Sequence, residues 1–197
     1  MVEASKLAIV GGVPGVGKTT VINKTMELAQ LENTEIKTIV FGTVMMNIAR
    51  ENHNVHHRDD LRKLPPQIQR DIQREAAVMI HQSSLGHLTI VDTHYAIKID
   101  QGYYLQGLPK WVSDELKPNL LILIETLPED IAKRRNYDVS RNRDEEDIEQ
   151  LRQHQEINRT IAATISQNTG ALLGIVVNMQ GEIDSAGKQL YNHLKRL

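Results

Sequence analysis

The stretch that most restricts what this chain can become is Gly12-Val13-Pro14-Gly15-Val16-Gly17-Lys18-Thr19, an ungapped G-x-x-x-x-G-K-[ST]. Its flanks suit the motif. Leu7-Ala8-Ile9-Val10 before it is a short apolar run fit for a buried parallel strand. Thr20 to Ala29 after it carries apolar side chains at 21, 22, 26, 28 and 29, the spacing of a helix face. Strand, glycine-rich loop and helix in that order make a phosphate cradle. Glycine admits backbone conformations closed to other residues, so successive N–H groups can turn inward onto phosphate oxygens. The helix start adds partial positive charge. In such a cradle Lys18 reaches the β- and γ-phosphates and the Thr19 hydroxyl holds Mg²⁺. Gly12, Val13, Pro14, Gly15, Val16, Gly17, Lys18, Thr19 and Thr20 are therefore expected to bind a nucleoside triphosphate.

The rest of the chain repeats the strand-then-helix pattern. Ile36 to Phe41 is expected as a second strand closed by Gly42, with a helix from Val44 to about Glu51. A polar connection holding His53, His56 and His57 leads to Arg58-Asp59-Asp60-Leu61-Arg62-Lys63-Leu64. Pro65-Pro66 stops any helix there and suits the first turn of the next, from Gln67 to about Ser83. Leu88 to Asp92 is a third strand, followed by an irregular stretch from Thr93 to Gly107. Leu120 to Glu125 is a fourth strand, and Pro128 opens a helix carrying Lys133-Arg134-Arg135. A charged segment from Asn136 to Asp147 precedes a long polar helix ending near Asn168. Leu172 to Val177 is the fifth strand, and Glu182 to Leu197 the last helix. Continuous apolar strands alternating with helices imply an α/β fold, a five-stranded parallel sheet with helices on both faces in three layers. Right-handed crossovers then bring the strand ends, and the site, to one edge. Without a linker, repeat or low-complexity tract, 197 residues read as one domain.

Asp92 ends the third strand on the sheet edge of the cradle, where a carboxylate can hold Mg²⁺ through its water shell or simply cap the strand. His94 beside it can touch a phosphate or serve as a hydrogen-bonded structural histidine. Lys133, Arg134, Arg135, Arg141 and Arg143 place five cations within eleven residues of a chain whose net charge is −2. Phosphoryl transfer spreads negative charge over the moving group, and arginine forks grip phosphate oxygens two at a time. Asp144-Glu145-Glu146-Asp147 follows, able to pair with those arginines or to favour the next helix start. Arg152 and Arg159 share a helix face that looks into the cleft or into solvent. The histidines at 53, 56 and 57 have no helical zinc spacing and read as a polar loop. Met45 and Met46 read as packing.

The small net charge argues against a general nucleic-acid or membrane surface. The chain has no cysteine, which excludes disulfides and thiolate metal sites and suits a reducing cytoplasm. The first residues run at once into a strand, so neither a signal peptide nor a transmembrane run is expected.

Gly12 to Thr20, Phe41-Gly42-Thr43-Val44-Met45, Arg58 to Leu64, Val91-Asp92-Thr93-His94, Gly107-Leu108-Pro109 and Arg141-Asn142-Arg143-Asp144 occur in this order and together resemble the archaeal-type adenylate kinases. The resemblance spans nearly the whole chain. It implies a nucleoside monophosphate kinase fold over residues 1–197, with an AMP-binding insertion at about 43–85 and a short lid at about 136–147. It further implies the reaction ATP + AMP ⇌ 2 ADP with Mg²⁺, no tightly bound prosthetic group, and a homotrimer. Lys18, Arg134, Arg141 and Arg143 are the catalytic candidates. The commoner bacterial and eukaryotic adenylate kinases carry an AMP-gripping arginine shortly after the third-strand aspartate. Here Thr93-His94-Tyr95-Ala96 stands there instead, so Arg58 and Arg62 become the candidates for the AMP phosphate and Thr43 for the nucleoside. Two other readings stay open: a P-loop kinase for another monophosphate or a hydroxylated acid, and an NTP-driven switch or assembly factor. The chain lacks the Asn-Lys-x-Asp base-reading motif of guanine-specific switches.

Overall fold

Strand β1 (Lys6–Gly11) shows how the sheet is buried on both sides. Leu7 and Ile9 enter one apolar cluster and Ala8 and Val10 the other, all four with no exposed surface. The same alternation divides β6 (Leu120–Glu125): Leu121 and Leu123 join the first cluster, Leu120, Ile122 and Ile124 the second. Successive side chains of a strand point to opposite faces, so an unbroken apolar run is stable only when both faces are covered. The computed structural model supplying these observations describes residues 5–99, 102–137 and 146–197, with Arg58, Asp59, Arg62 and Tyr137 described by backbone alone.

With β2 (Lys37–Val40), β3 (Leu88–Asp92) and β7 (Leu172–Val177), these strands pair in parallel in the order β2-β3-β1-β6-β7. Helices α1 (Lys18–Leu31) and α7 (Ile183–Leu194) cover the second cluster through Val21, Ile22, Leu190 and Leu194. Helices α2 (Phe41–His53), α3 (Pro66–Ser84) and α4 (Lys110–Leu116) cover the first through Ile48, Ile72, Ile80 and Leu116. Helix α5 (Pro128–Tyr137) adds Ile131 to the second cluster. The long α6 (Ile148–Thr169) gives Leu151 to the second and Ala162 and Ile165 to the first. The expected α/β architecture, a parallel sheet between helical layers, is the one observed.

Four local features differ from the expectation or were not foreseen. The second strand stops at Val40 and α2 begins at Phe41, because that ring is buried in the first cluster and the chain must turn to place it there. The irregular stretch after Thr93 contains an antiparallel hairpin, β4 (Ala96–Lys98) with β5 (Tyr104–Gln106). Helix α4 follows it, unforeseen because its seven residues give too little periodicity to read. A short 3₁₀ turn covers Arg58–Lys63 before Pro65-Pro66 opens α3.

Parallel pairing brings the C-terminal ends of the strands to one edge. The register sets Val10 beside Asp92, while Glu125 closes β6 and Asn178 follows β7. The glycine-rich loop leaves β1 at that edge.

Candidate active site

The loop between β1 and α1 is pinned by its apolar members and shaped by its glycines. Val13 and Val16 are each 1% exposed, with their side chains in the second cluster, so they wedge the loop against the sheet. Gly17 has φ +87°, and a Cβ there would lie 2.6 Å from the Asn178 amide nitrogen. Gly12, at φ +151°, leaves a would-be Cβ only 2.5 Å from the Ile124 carbonyl oxygen. A side chain at either position would displace neighbouring atoms as well as strain the backbone. Gly17 is also the N-cap of α1, with no side-chain cap and no acidic residue in the first turn. The opening N–H groups of the helix are thereby offered to an anion.

Two carbonyls of the loop are held from behind. Arg135 Nε donates to the Pro14 oxygen at 2.9 Å. The Val16 oxygen accepts from Arg134 Nη1 at 3.0 Å and from Asn178 Nδ2 at 2.8 Å. In a trans peptide the C=O and N–H point in opposite directions. Drawing the Pro14 and Val16 carbonyls toward α5 and the end of β7 therefore turns the Gly15 and Gly17 N–H groups the other way. Arg134 also donates through Nη2 to the Asn178 oxygen at 2.9 Å and through Nε to Gln180 at 3.3 Å. Burial pulls the Arg134 guanidinium below its ordinary value, with the Asp130 charge opposing that shift.

Lys18 is 8% exposed, and its ammonium lies 3.4 Å from the Gly12 oxygen and 3.1 Å from His94 Nδ1. His94 Nδ1 is itself 2.8 Å from the Gly12 oxygen, so ring, ammonium and carbonyl meet at one point. The histidine at the end of β3 thus holds the root of the loop, and Lys18 lies alongside it. Asp92, two residues earlier, is half-buried at the strand end, while Thr19 and Thr20 are exposed on the first turn of α1. A cavity of about 220 Å³ opens beside Gly17 and Thr20, bordered by Arg134 and by the Asn178–Gly181 turn.

Both roles foreseen for the acidic run are present, on different residues. Asp147 caps α6, accepting from the Gln150 N–H at 2.8 Å, while the Gln150 side chain accepts from the Asp147 N–H, a capping box. Glu146, its side chain 3% exposed, pairs with Arg135 Nη1 at 2.7 Å and with His154 Nδ1 at 3.1 Å. Burial alone would raise the Glu146 carboxyl, but His154 and Arg135 together hold it below the usual carboxylate value.

The arrangement gathers Gly12 to Thr20, Asp92, His94 and Arg134 at one edge of the sheet. Thr43 is exposed on the first turn of α2, and Arg58 and Arg62 lie on the 3₁₀ turn. Arg141 and Arg143 lie outside the described residues. Arg159 holds Glu125, at the end of β6, with two bonds of 2.9 and 2.6 Å, and Arg152 pairs with Glu149 on the surface. Asn178 and the anchoring roles of Arg135 and Glu146 are absent from the sequence reading. A polar residue directly after a fifth apolar strand was the available signal for Asn178. Nothing local marks Glu146 apart from its acidic neighbours.

A family model described as an AAA domain matches residues 11–152, from the glycine-rich loop into α6. An adenylate kinase of Methanocaldococcus jannaschii is 43% identical over 191 residues, covering 97% of this chain and 99% of that protein. Adenylate kinases of Methanococcus aeolicus and Methanothermobacter thermautotrophicus are 41% and 40% identical, each over 96% of this chain and 98% and 100% of theirs. Among solved structures, shikimate kinases from Bacteroides thetaiotaomicron and Acinetobacter baumannii superpose with a TM-score of 0.60 over 98% of this chain and 99% and 93% of theirs. At 12% and 15% identity these two speak to the fold alone. With relatives this similar over their full length, and a phosphate cradle built as its motif requires, the chain belongs to the adenylate kinase family.

Proposed function

We propose that the chain transfers the γ-phosphoryl group of ATP to AMP, reversibly and with Mg²⁺, giving two ADP. The observation that carries this reading is the cradle itself, a glycine-rich loop held from behind with Lys18 beside it, in a chain whose full-length relatives are adenylate kinases. A bond forms from an AMP phosphate oxygen to the γ-phosphorus as the bond from that phosphorus to the β–γ bridging oxygen breaks. The loop N–H groups and the start of α1 bind the phosphates, and Lys18 leaves Gly12 to meet the β- and γ-oxygens. The cavity beside Gly17 and Thr20 takes the ATP nucleoside.

Thr19 and Asp92 fit Mg²⁺, being hard oxygen donors on the first turn of α1 and at the strand end beside β1. When bound, with Asp92 acting through water, the ion neutralises charge on the β- and γ-phosphates. Arg134 contributes its charge from the back of the loop, and Arg141 and Arg143 are assigned to the transferred group. Thr43, Arg58 and Arg62 are assigned to AMP, the two arginines to its phosphate, within an insertion of about 43–85 in a single kinase domain. The same reading makes 136–147 a short lid. A homotrimer in the cytoplasm without nucleic-acid partners completes it; among the described residues no helix is long and apolar enough to cross a membrane.

The test is an acceptor panel at fixed Mg-ATP: AMP, the other nucleoside monophosphates, and shikimate. Rapid phosphoryl transfer to AMP, abolished by chelating Mg²⁺, supports the reading. Preferential transfer to another acceptor replaces it.

A further inference from the structure

We infer that Glu146 is a positioning residue for the triphosphate cradle, acting through Arg135 on the Pro14 carbonyl. The inference rests on the reading of the loop as the ATP site and assigns a role to a buried carboxylate that the transfer reaction itself does not use.

The geometry is a relay. Glu146, 3% exposed, accepts from Arg135 Nη1 at 2.7 Å, and the same guanidinium donates through Nε to the Pro14 oxygen at 2.9 Å. The other carboxylate oxygen faces His154 Nδ1 at 3.1 Å, with Lys98 Nζ at 3.9 Å. His154 is 1% exposed and its Nε2 donates to the Ala96 oxygen at 3.2 Å, so the carboxylate is tied to α6 and, through α6, to the β4–β5 hairpin. One carboxylate therefore joins α5, α6, the hairpin and the back of the cradle. Burying such a group is a poor route to stability, since desolvation offsets most of the attraction between the charges. Its effect is geometric. An arginine with five donors in a rigid fork has a fixed orientation once two of its edges are engaged. With Glu146 on one edge, the other is aimed at Pro14, and the Gly15 N–H is turned away from it, in the direction available to phosphate. Without the carboxylate, the 11%-exposed guanidinium has an unmet charge and a reason to swing toward solvent, releasing the Pro14 peptide.

The experiment uses the full chain as Glu146→Gln, which keeps the side-chain shape and removes the charge. Affinity for a non-hydrolysable ATP analogue is measured by calorimetry without AMP, and both KM values are measured with AMP present. The expected result is a loss of analogue affinity and a rise in the ATP KM of about tenfold, the size of effect that outer-shell partners have at metal sites. The AMP KM should stay within about twofold. Arg135→Gln should give the same selective loss, and the double variant no further loss, because both act on one carbonyl. A lowered melting temperature with unchanged analogue affinity in Glu146→Gln makes the residue structural only and overturns the inference. Should Glu146→Gln not fold, Arg135→Gln decides: unchanged analogue affinity there also overturns it. If the wild-type chain binds the analogue but transfers nothing to AMP, the proposed function fails while the relay still stands or falls on the affinities.

Discussion

The Lys18 side chain is almost entirely buried, and its ammonium lies 3.4 Å from the Gly12 carbonyl oxygen. A neutral carbonyl is a weaker partner than phosphate oxygens, so arriving nucleotide draws Lys18 from one to the other. Lys18→Ala is accordingly expected to remove nearly all transfer activity while far-UV circular dichroism stays that of wild type, since Val13 and Val16 rather than Lys18 anchor the loop to the core. Activity within a few-fold of wild type would contradict the assignment of the cradle. Arg141→Ala and Arg143→Ala are each expected to lower kcat by about 10²-fold, within the span seen on removing one electrostatic donor. Lysine at either position should not restore the rate, because a point charge lacks the fork. Near-normal kcat in both alanine variants would move the catalytic cations to Arg134, Arg135 or Arg159. The placements of Gly17 and Lys18 at the start of α1 were legible from the motif alone, because they depend on local backbone. Those of Asn178 and Glu146 were not, since Asn178 bonds to Val16, 162 residues away, and Glu146 joins Arg135 and His154 on two different helices.

At the scale of elements, Gly11 shows how a strand end is fitted to what lies over it. Tyr95 is fully buried, its hydroxyl donating to the Ile122 oxygen at 3.1 Å, and its ring occupies the space a Cβ on Gly11 would need. Gly11→Ala is expected to destabilise the fold by about 1–3 kcal/mol, the range for overpacking, read as a lowered thermal midpoint. An unchanged midpoint would mean the ring can move. The Glu146 cluster gives a second element-scale expectation. Arg135 from α5, His154 from α6 and Lys98 from β4 face that carboxylate, and Tyr104 on β5 makes an edge-type ring contact with His154 and feels the Glu146 charge. With its carboxyl held below the ordinary 4.5, folding gains stability above that value and loses it as pH falls through 4.5 toward the lowered one. Urea unfolding followed across acid pH should show a shallower fall for Glu146→Gln than for wild type. Equal slopes would mean the carboxylate is not preferentially ionised in the fold. Strands β1, β3 and β6 were readable because burial on both faces leaves an unbroken apolar run. The β4–β5 hairpin was not, because it has three residues a side and is held by α6, where Asn158 and His154 bond both backbone groups of Ala96.

For the whole molecule, the parallel order β2-β3-β1-β6-β7 brings the loop after β1, the end of β3 and the turn after β7 to one edge, and α5 lays its arginines against them. A site assembled from so many segments can hold a triphosphate firmly while leaving one side for an acceptor. That separates a kinase from a P-loop hydrolase, in which water takes the acceptor's place. The measurement that tests this account most directly is ATP consumption with Mg²⁺ in the presence and absence of AMP, with ADP and inorganic phosphate both quantified. The account predicts that ATP loss depends on AMP, with two ADP formed for each ATP consumed and almost no free phosphate. ATP loss at the same rate without AMP, releasing one phosphate per ADP, would contradict it.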